Sequence, residues 1–165
     1  MRIAIGCDHG AIALKDKLVL HLQSRHFEVA DFGTYTSESC DYPDFAGAAA
    51  IAVARGNCDK GIVLCTTGIG VSICANKVDG IRCALLSDVK SAEMTRLHND
   101  TNMMALGAGM TGEILALEIV DTWLGTEVAD LITLFLQMGN QFVLQRQRAV
   151  VTADCNFHSK SPYII

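Results

Sequence analysis

The residues best suited to chemistry lie together between Gly61 and Lys77, in the order Gly-Ile-Val-Leu-Cys-Thr-Thr-Gly-Ile-Gly-Val-Ser-Ile-Cys-Ala-Asn-Lys. Cys65 supplies a thiol, Thr66 and Thr67 supply hydroxyls, and Gly68, Ile69 and Gly70 make a glycine-rich turn. A thiol is a useful base or nucleophile near neutrality only when its surroundings lower its pKa from about 8.5, and the free N–H groups of a helix N-terminus do that. The same N–H groups stabilise an oxyanion or a phosphate. Thr67 and the N–H groups of Gly68 to Gly70 can therefore hold a developing enolate oxygen. His9 and His98 can move protons or contact phosphate, and Asp8 can orient a sugar hydroxyl. A thiol base, an oxyanion hole and a histidine together suit proton abstraction beside a carbonyl, which is aldose–ketose isomerisation through an enediolate. Taken alone, the stretch also fits an ordinary strand–turn–helix with a buried structural cysteine. His21 and His26 lie on or beside a helix without chemical company.

The elements that must position these residues alternate along the chain. Arg2 to Cys7 reads as a first strand, followed by Asp8-His9-Gly10. Ala11 to Arg25 reads as a helix with Leu14, Leu18 and Leu22 on one face. Phe27 to Phe32 is a second strand, Gly33 to Pro43 a polar loop, and Asp44 to Arg55 an Ala-rich helix whose small residues permit close approach. Ile62, Val63 and Leu64 form the apolar centre of a third strand, Lys60 to Leu64, with a helix from Val71 to Ala75. A fourth strand runs from Arg82 to Leu86, with Ser87 or Asp88 capping a helix that runs to about His98. A fifth strand spans Asn102 to Leu106, and a last amphipathic helix spans Gly112 to Leu124. Such alternation predicts an α/β fold with a parallel sheet covered on both faces. Asp8-His9, Cys65-Thr66-Thr67 and Ser87-Asp88 then share the carboxyl edge of the sheet, where open α/β sheets bind ligands. His98-Asn99-Asp100 is the exception, at the end of a helix, and a partner subunit can bring such a loop to another subunit's cleft.

The totals narrow the options. A chain of 165 residues fits one domain. Half the residues are hydrophobic and 19% are charged, which argues against disorder. A net charge of -5 argues against a nucleic-acid partner. No apolar run is long enough to span a membrane, and no signal-peptide pattern opens the chain. Seven cysteines, without a CxxC pair or zinc spacing, fit free thiols in a reducing cytoplasm. The expectation is a reaction without metal or cofactor. Gly68-Ile69-Gly70 lacks the third glycine of a dinucleotide fingerprint, so a nicotinamide site is weakly supported.

Several motifs carry a family resemblance. They are Gly6-Cys7-Asp8-His9, Asp41-Tyr42-Pro43, Cys65 to Gly70, Ser72-Ile73, Ala75-Asn76-Lys77, Gly80-Ile81-Arg82, Ser91-Ala92 and Arg96-Leu97-His98-Asn99-Asp100. In order and spacing, from Met1 to about Glu127, the chain resembles the type B ribose-5-phosphate isomerases. That family includes galactose-6-phosphate and allose-6-phosphate isomerases. The resemblance implies a Rossmann-like three-layer α/β/α sandwich and a homodimer or homotetramer with active sites shared between subunits. It implies Cys65 as the base between C1 and C2, and His98 in opening the furanose ring. Thr67 and Gly68, Ile69 and Gly70 would form the anion hole, with Thr66 and Ser72 near by. Asp8, His9 and Asn99 would contact the sugar phosphate. Retention of Cys65 and the His98 motif favours the pentose phosphate, ribose 5-phosphate to ribulose 5-phosphate.

Three departures stand against this pattern. Thr66 takes the place of a family glycine, and would be strained if the position needs a positive φ. Gly109 takes the place of an arginine after the fifth strand. Beyond Glu127 the family's two phosphate-binding arginines are replaced by Val128 to Leu136. Residues 1–126 thus read as the isomerase domain, and 127–165 as an atypical tail. The tail holds three acids (Glu127, Asp130, Asp154) and three bases (Arg146, Arg148, Lys160). Its apolar run Leu131 to Met138 suits a helix packed on a partner subunit. The missing arginines support a second reading, a weakly active or non-catalytic sugar-phosphate-binding partner subunit.

Overall fold

The computed structural model describes residues 1–128. Five strands and five helices alternate: β1 (Arg2–Cys7), α1 (Ile12–Ser24), β2 (Glu28–Asp31), α2 (Tyr42–Ala54), β3 (Lys60–Cys65), α3 (Ile69–Asn76), β4 (Cys83–Leu85), α4 (Val89–Asn99), β5 (Met103–Gly107) and α5 (Glu113–Gly125). A short 3-10 turn, His9–Ala11, precedes α1. All strand pairs are parallel, in the order β2-β1-β3-β5-β4. The expected parallel sheet, its five strands and its sandwich of helices are all present. The expectation for the tail falls outside the described residues from 129 onward.

Strand alternation divides the core in two. Ile3, Ile5 and Cys7 of β1, Ile62 and Leu64 of β3, and Met104 and Leu106 of β5 face α1, α4 and α5. There they meet Leu14, Leu18 and Leu22, the stripe expected of α1. Ala4, Val63 and Ala105 face α2 and α3. On that side Ala46, Ala49 and Ala50 are fully buried, and a Cβ placed on Gly6 would lie 2.7 Å from the Phe45 carbonyl oxygen. The small residues of α2 do bring a helix backbone close to the sheet.

Most boundaries fall within a residue of the sequence expectation, but two helices begin two residues earlier for physical reasons. Helix α2 begins at Tyr42 rather than Asp44, with Pro43 inside its first turn. Proline is tolerated there because its missing N–H would have no intrahelical acceptor and its φ suits a helix. Helix α3 begins at Ile69, directly after Gly68, so the turn is tighter than a helix from Val71 would make it.

Lys15 is fully buried on α1, where its Nζ pairs with Asp31 Oδ2 at 2.8 Å and lies 4.1 Å from the centre of the Tyr35 ring. Asp31 Oδ1 also accepts the Gly33 N–H at 2.8 Å, so one carboxylate ties α1 to the start of the loop before α2.

At the opposite edge of the sheet, Lys60 Nζ lies 4.9 Å from the Trp123 ring centre. Burial, and then the charge of Arg96, lower the Lys60 amine to about 8. Between pH 8 and its ordinary value of 10.5 the unfolded chain therefore binds more protons at this residue than the folded one. Stability contributed by Lys60 rises with pH through that window. Subtracting the stability of Lys60→Met from that of the intact chain, by urea melts across pH 7 to 10.5, should yield a difference that climbs above pH 8. A flat difference would show that Lys60 titrates alike in both states.

Candidate active site

The strand order reverses direction between β1 and β3, because β1 leads outward to β2 whereas β3 leads by way of α3 to β4 at the other side. Ligands of open α/β sheets bind at the carboxyl side of such a switch point. Cys7 and Cys65 end these two strands. The ladder runs one step further, with the Asp8 N–H donating to Leu64 O at 3.3 Å.

Cys65 is 6% exposed and its sulfur has one close donor, the Gly68 N–H at 3.1 Å. Thr67 Oγ1 lies 4.0 Å from the same sulfur and accepts the Ile69 N–H at 3.3 Å. Two of the three N–H groups expected for an oxyanion are thus occupied within the loop. The first intrahelical bond of α3 is Ser72 N–H to Gly68 O, at 3.1 Å. Gly70 and Val71 are then the first-turn donors without an intrahelical acceptor. Ser72 is buried, and its hydroxyl donates to Ile69 O at 2.8 Å, so it braces the turn.

Gly68 has φ +76°, a left-handed conformation that costs a side-chain-bearing residue dearly. A Cβ there would also stand 2.8 Å from the Leu106 carbonyl carbon and 2.9 Å from the Gly107 nitrogen. Gly68→Ala should lose on the order of 3–5 kcal/mol from strain and overlap together. Thermal or urea melts will measure it, and a loss under about 1 kcal/mol would mean that the turn relaxes freely.

Thr66 carries no such strain. Among the described residues only His26 and Asp100 combine a side chain with a positive φ. Its side chain stands between two glycines: a Cβ on Gly10 would meet Thr66 Oγ1 at 2.3 Å, and one on Gly109 would meet Thr66 Cγ2 at 3.1 Å. The Thr66 carbonyl also accepts the Gly109 N–H at 2.9 Å. The departures at 66 and 109 are therefore neighbours in space.

Asp8 is 8% exposed, and its Oδ1 accepts the Gly10 N–H at 2.9 Å, capping the 3-10 turn. His9 is exposed, and its Nδ1 accepts the Cys40 N–H at 3.2 Å. The Tyr42 ring lies over the start of α3, where a Cβ on Gly70 would come within 2.9 Å of Cζ. Cys40 and Tyr42 were not singled out by their residue types. The signal available was the Asp41-Tyr42-Pro43 motif, whose proline starts the helix that aims Tyr42.

His98 and Asn99 are not brought to this cleft within one chain. Helix α4 leaves the carboxyl end of β4 and delivers the chain to the amino end of β5, so its last residues lie at the edge opposite Cys65. The surrounding motif is divided by role. Arg96 is 6% exposed and pairs with Asp100 Oδ1 at 3.1 Å, and Arg82 Nη2 reaches Asp100 Oδ2 at 3.0 Å. Asp100 caps α4 in the left-handed region, at φ 45°. The ion pairs hold the helix end while His98 and Asn99 stand exposed.

Comparison with known proteins identifies the family. The family model described as Ribose/Galactose Isomerase matches residues 3–131. Ribose-5-phosphate isomerase B of Escherichia coli is 50% identical over 126 residues, covering 76% of this chain and 85% of that protein. The D-erythrulose-4-phosphate isomerase of Pectobacterium atrosepticum is 44% identical over 128 residues, covering 77% and 84%. The solved structure of ribose-5-phosphate isomerase B from Clostridium thermocellum superposes with a TM-score of 0.78 at 50% identity, covering 84% of this chain and 95% of that one. A matching family model, ordered motifs and a shared sheet topology together show that this chain belongs to the ribose/galactose isomerase family of sugar-phosphate isomerases.

Proposed function

We propose that the chain interconverts ribose 5-phosphate and ribulose 5-phosphate through an enediolate, with Cys65 as the base. The observation that carries this reading is the Cys65 sulfur at the switch point, accepting the Gly68 N–H at 3.1 Å directly before the N-terminus of α3. The thiolate takes the proton from C2 of the open-chain aldose, and the electron pair forms the C1–C2 double bond of the enediolate. Return of the proton to C1, with transfer of a hydroxyl proton from O2 to O1, yields the ketose. Gly70 and the first turn of α3 supply donors for the developing oxyanion, with Thr67 beside them.

His98 opens the furanose ring and Asn99 binds a hydroxyl, both supplied by a second copy of the chain. A two-fold dimer with the carboxyl edge of one sheet near the amino edge of the other provides two such sites. Ile69 and Ile73, exposed by 52% and 53% and one turn apart on α3, offer an apolar contact beside the cleft. Asp8 orients the sugar, and His9 contacts the phosphate in place of an arginine.

The test is conversion of ribose 5-phosphate by the purified full chain, with erythrulose 4-phosphate as the competing substrate. Turnover of the pentose supports the reading, and preference for the four-carbon sugar would replace it. A folded chain that binds ribose 5-phosphate without turning it over would establish the non-catalytic partner instead.

A further inference from the structure

The loop before α2 fixes the chemistry of His9. A neutral imidazole has one donor and one acceptor nitrogen, and an imidazolium has two donors. The Cys40 backbone N–H can only donate, and it meets His9 Nδ1 at 3.2 Å. Nδ1 is therefore the acceptor, and the proton resides on Nε2. Cys40 Sγ lies 3.7 Å from the same nitrogen, but a thiol can donate or accept, so the backbone N–H carries the assignment.

Both partners in this bond are held by independent parts of the fold. His9 lies in the 3-10 turn closed by Asp8 Oδ1 and the Gly10 N–H, at 2.9 Å. Cys40 ends a loop whose start is tied down by the Gly33 N–H on Asp31 Oδ1, at 2.8 Å, and by the Thr34 N–H on Cys7 O, at 3.0 Å. The far end of the loop runs into α2, which is packed on β1 through Gly6 and Phe45. The donor is thus set by the backbone frame rather than by a side chain that can turn away.

We propose that the Cys40 backbone N–H is a positioning group that holds His9 as its Nε2–H tautomer, making it a neutral donor to an oxyanion of the substrate. This rests on the contact of His9 with the substrate phosphate proposed above. It also separates two roles that residue type alone leaves open. With Nδ1 occupied by a donor, His9 holds an anion by a hydrogen bond and does not relay a proton through both nitrogens.

The first test needs no turnover. Long-range 1H–15N correlation spectra of the labelled full chain, at a pH where imidazoles are neutral, distinguish the acceptor nitrogen from the protonated one. The His9 signals are assigned by their loss in His9→Gln. The expected pattern is Nδ1 as acceptor in the intact chain and in Cys40→Ala, which keeps the N–H. Cys40→Pro removes that N–H, and the tautomers should then mix. An Nδ1–H tautomer or mixed tautomers in the intact chain would overturn the proposal, even if Cys40→Pro fails to fold.

The second test asks where the donor must stand. Glutamine carries its amide nitrogen near the position of Nε2, whereas asparagine reaches only as far as Nδ1. His9→Asn should raise KM for ribose 5-phosphate by roughly 10- to 100-fold, the worth of one hydrogen bond to a charged group, with kcat changed little. His9→Gln should recover most of that loss. Equal loss in both variants would remove the donor role. If the chain does not turn over ribose 5-phosphate, inorganic phosphate titrated against the His9 signals reads the same contact. A shift at Nε2 then supports this proposal independently of the isomerase assignment, and none overturns it.

Discussion

Cys65→Ala should lower the rate of ribose 5-phosphate isomerisation by at least about 1,000-fold while the chain stays folded. General-base catalysis is worth roughly 100- to 10,000-fold, and no other group among the described residues shares Cys65's place at the end of β3 beside the α3 turn. The cost to stability is small in comparison. The thiol is buried, but it contacts a loop whose shape is also set by Gly68 and by the Ala108 N–H on Cys65 O at 2.8 Å, and the variant keeps that backbone bond. A loss of about 1 kcal/mol is expected in urea melts. Cys65→Ser should behave almost as badly, because a serine hydroxyl is far less acidic than a thiol and supplies little anionic base. Activity within tenfold of the intact chain in either variant would move the proton-transfer role to another residue.

The second large effect concerns two subunits. His98→Ala should also be nearly inactive, since ring opening must precede proton transfer from a furanose. An equimolar, freely exchanging mixture of Cys65→Ala and His98→Ala chains should nevertheless recover about one quarter of the intact activity. Half of the dimers are then mixed, and each has one site with both residues intact and one with neither. This expectation follows from the proposed shared site, since α4 carries His98 to the edge of the sheet opposite Cys65. No recovery, with subunit exchange verified by differently tagged chains, would show that the two residues do not meet across an interface.

The fold was legible at the level of its elements. Apolar runs such as Ile62 to Leu64 and the four-residue repeat of Leu14, Leu18 and Leu22 are local patterns, and burying them permits few arrangements. The carboxyl-edge grouping of Asp8, His9 and Cys65 followed from alternation alone, because a parallel sheet puts every strand end of one kind on one side. What resisted reading depends on contacts between distant segments. Lys15 lies within an amphipathic helix, and its burial is intelligible only with Asp31 and Tyr35 placed over it. The strain foreseen at Thr66 does not arise, because the turn places its left-handed residue at Gly68 and open space at Gly10 and Gly109 receives the threonine side chain.

The sequence by itself determined which residue types could react, and the strand periodicity determined the edge on which they gather. It also marked His98 as separate from them, since a residue at the end of a crossover helix cannot share the carboxyl edge of the strands. Only the tertiary structure decided how those groups are prepared for use. The donor to the Cys65 sulfur is a backbone N–H three residues on, and the acceptor state of His9 is set by a backbone N–H 31 residues away. Backbone N–H groups are the same in every residue but proline, so residue identity does not reveal which of them will meet a side chain. That depends on where the chain turns, and here the turns are set by the packing of α2 and α3 against the sheet.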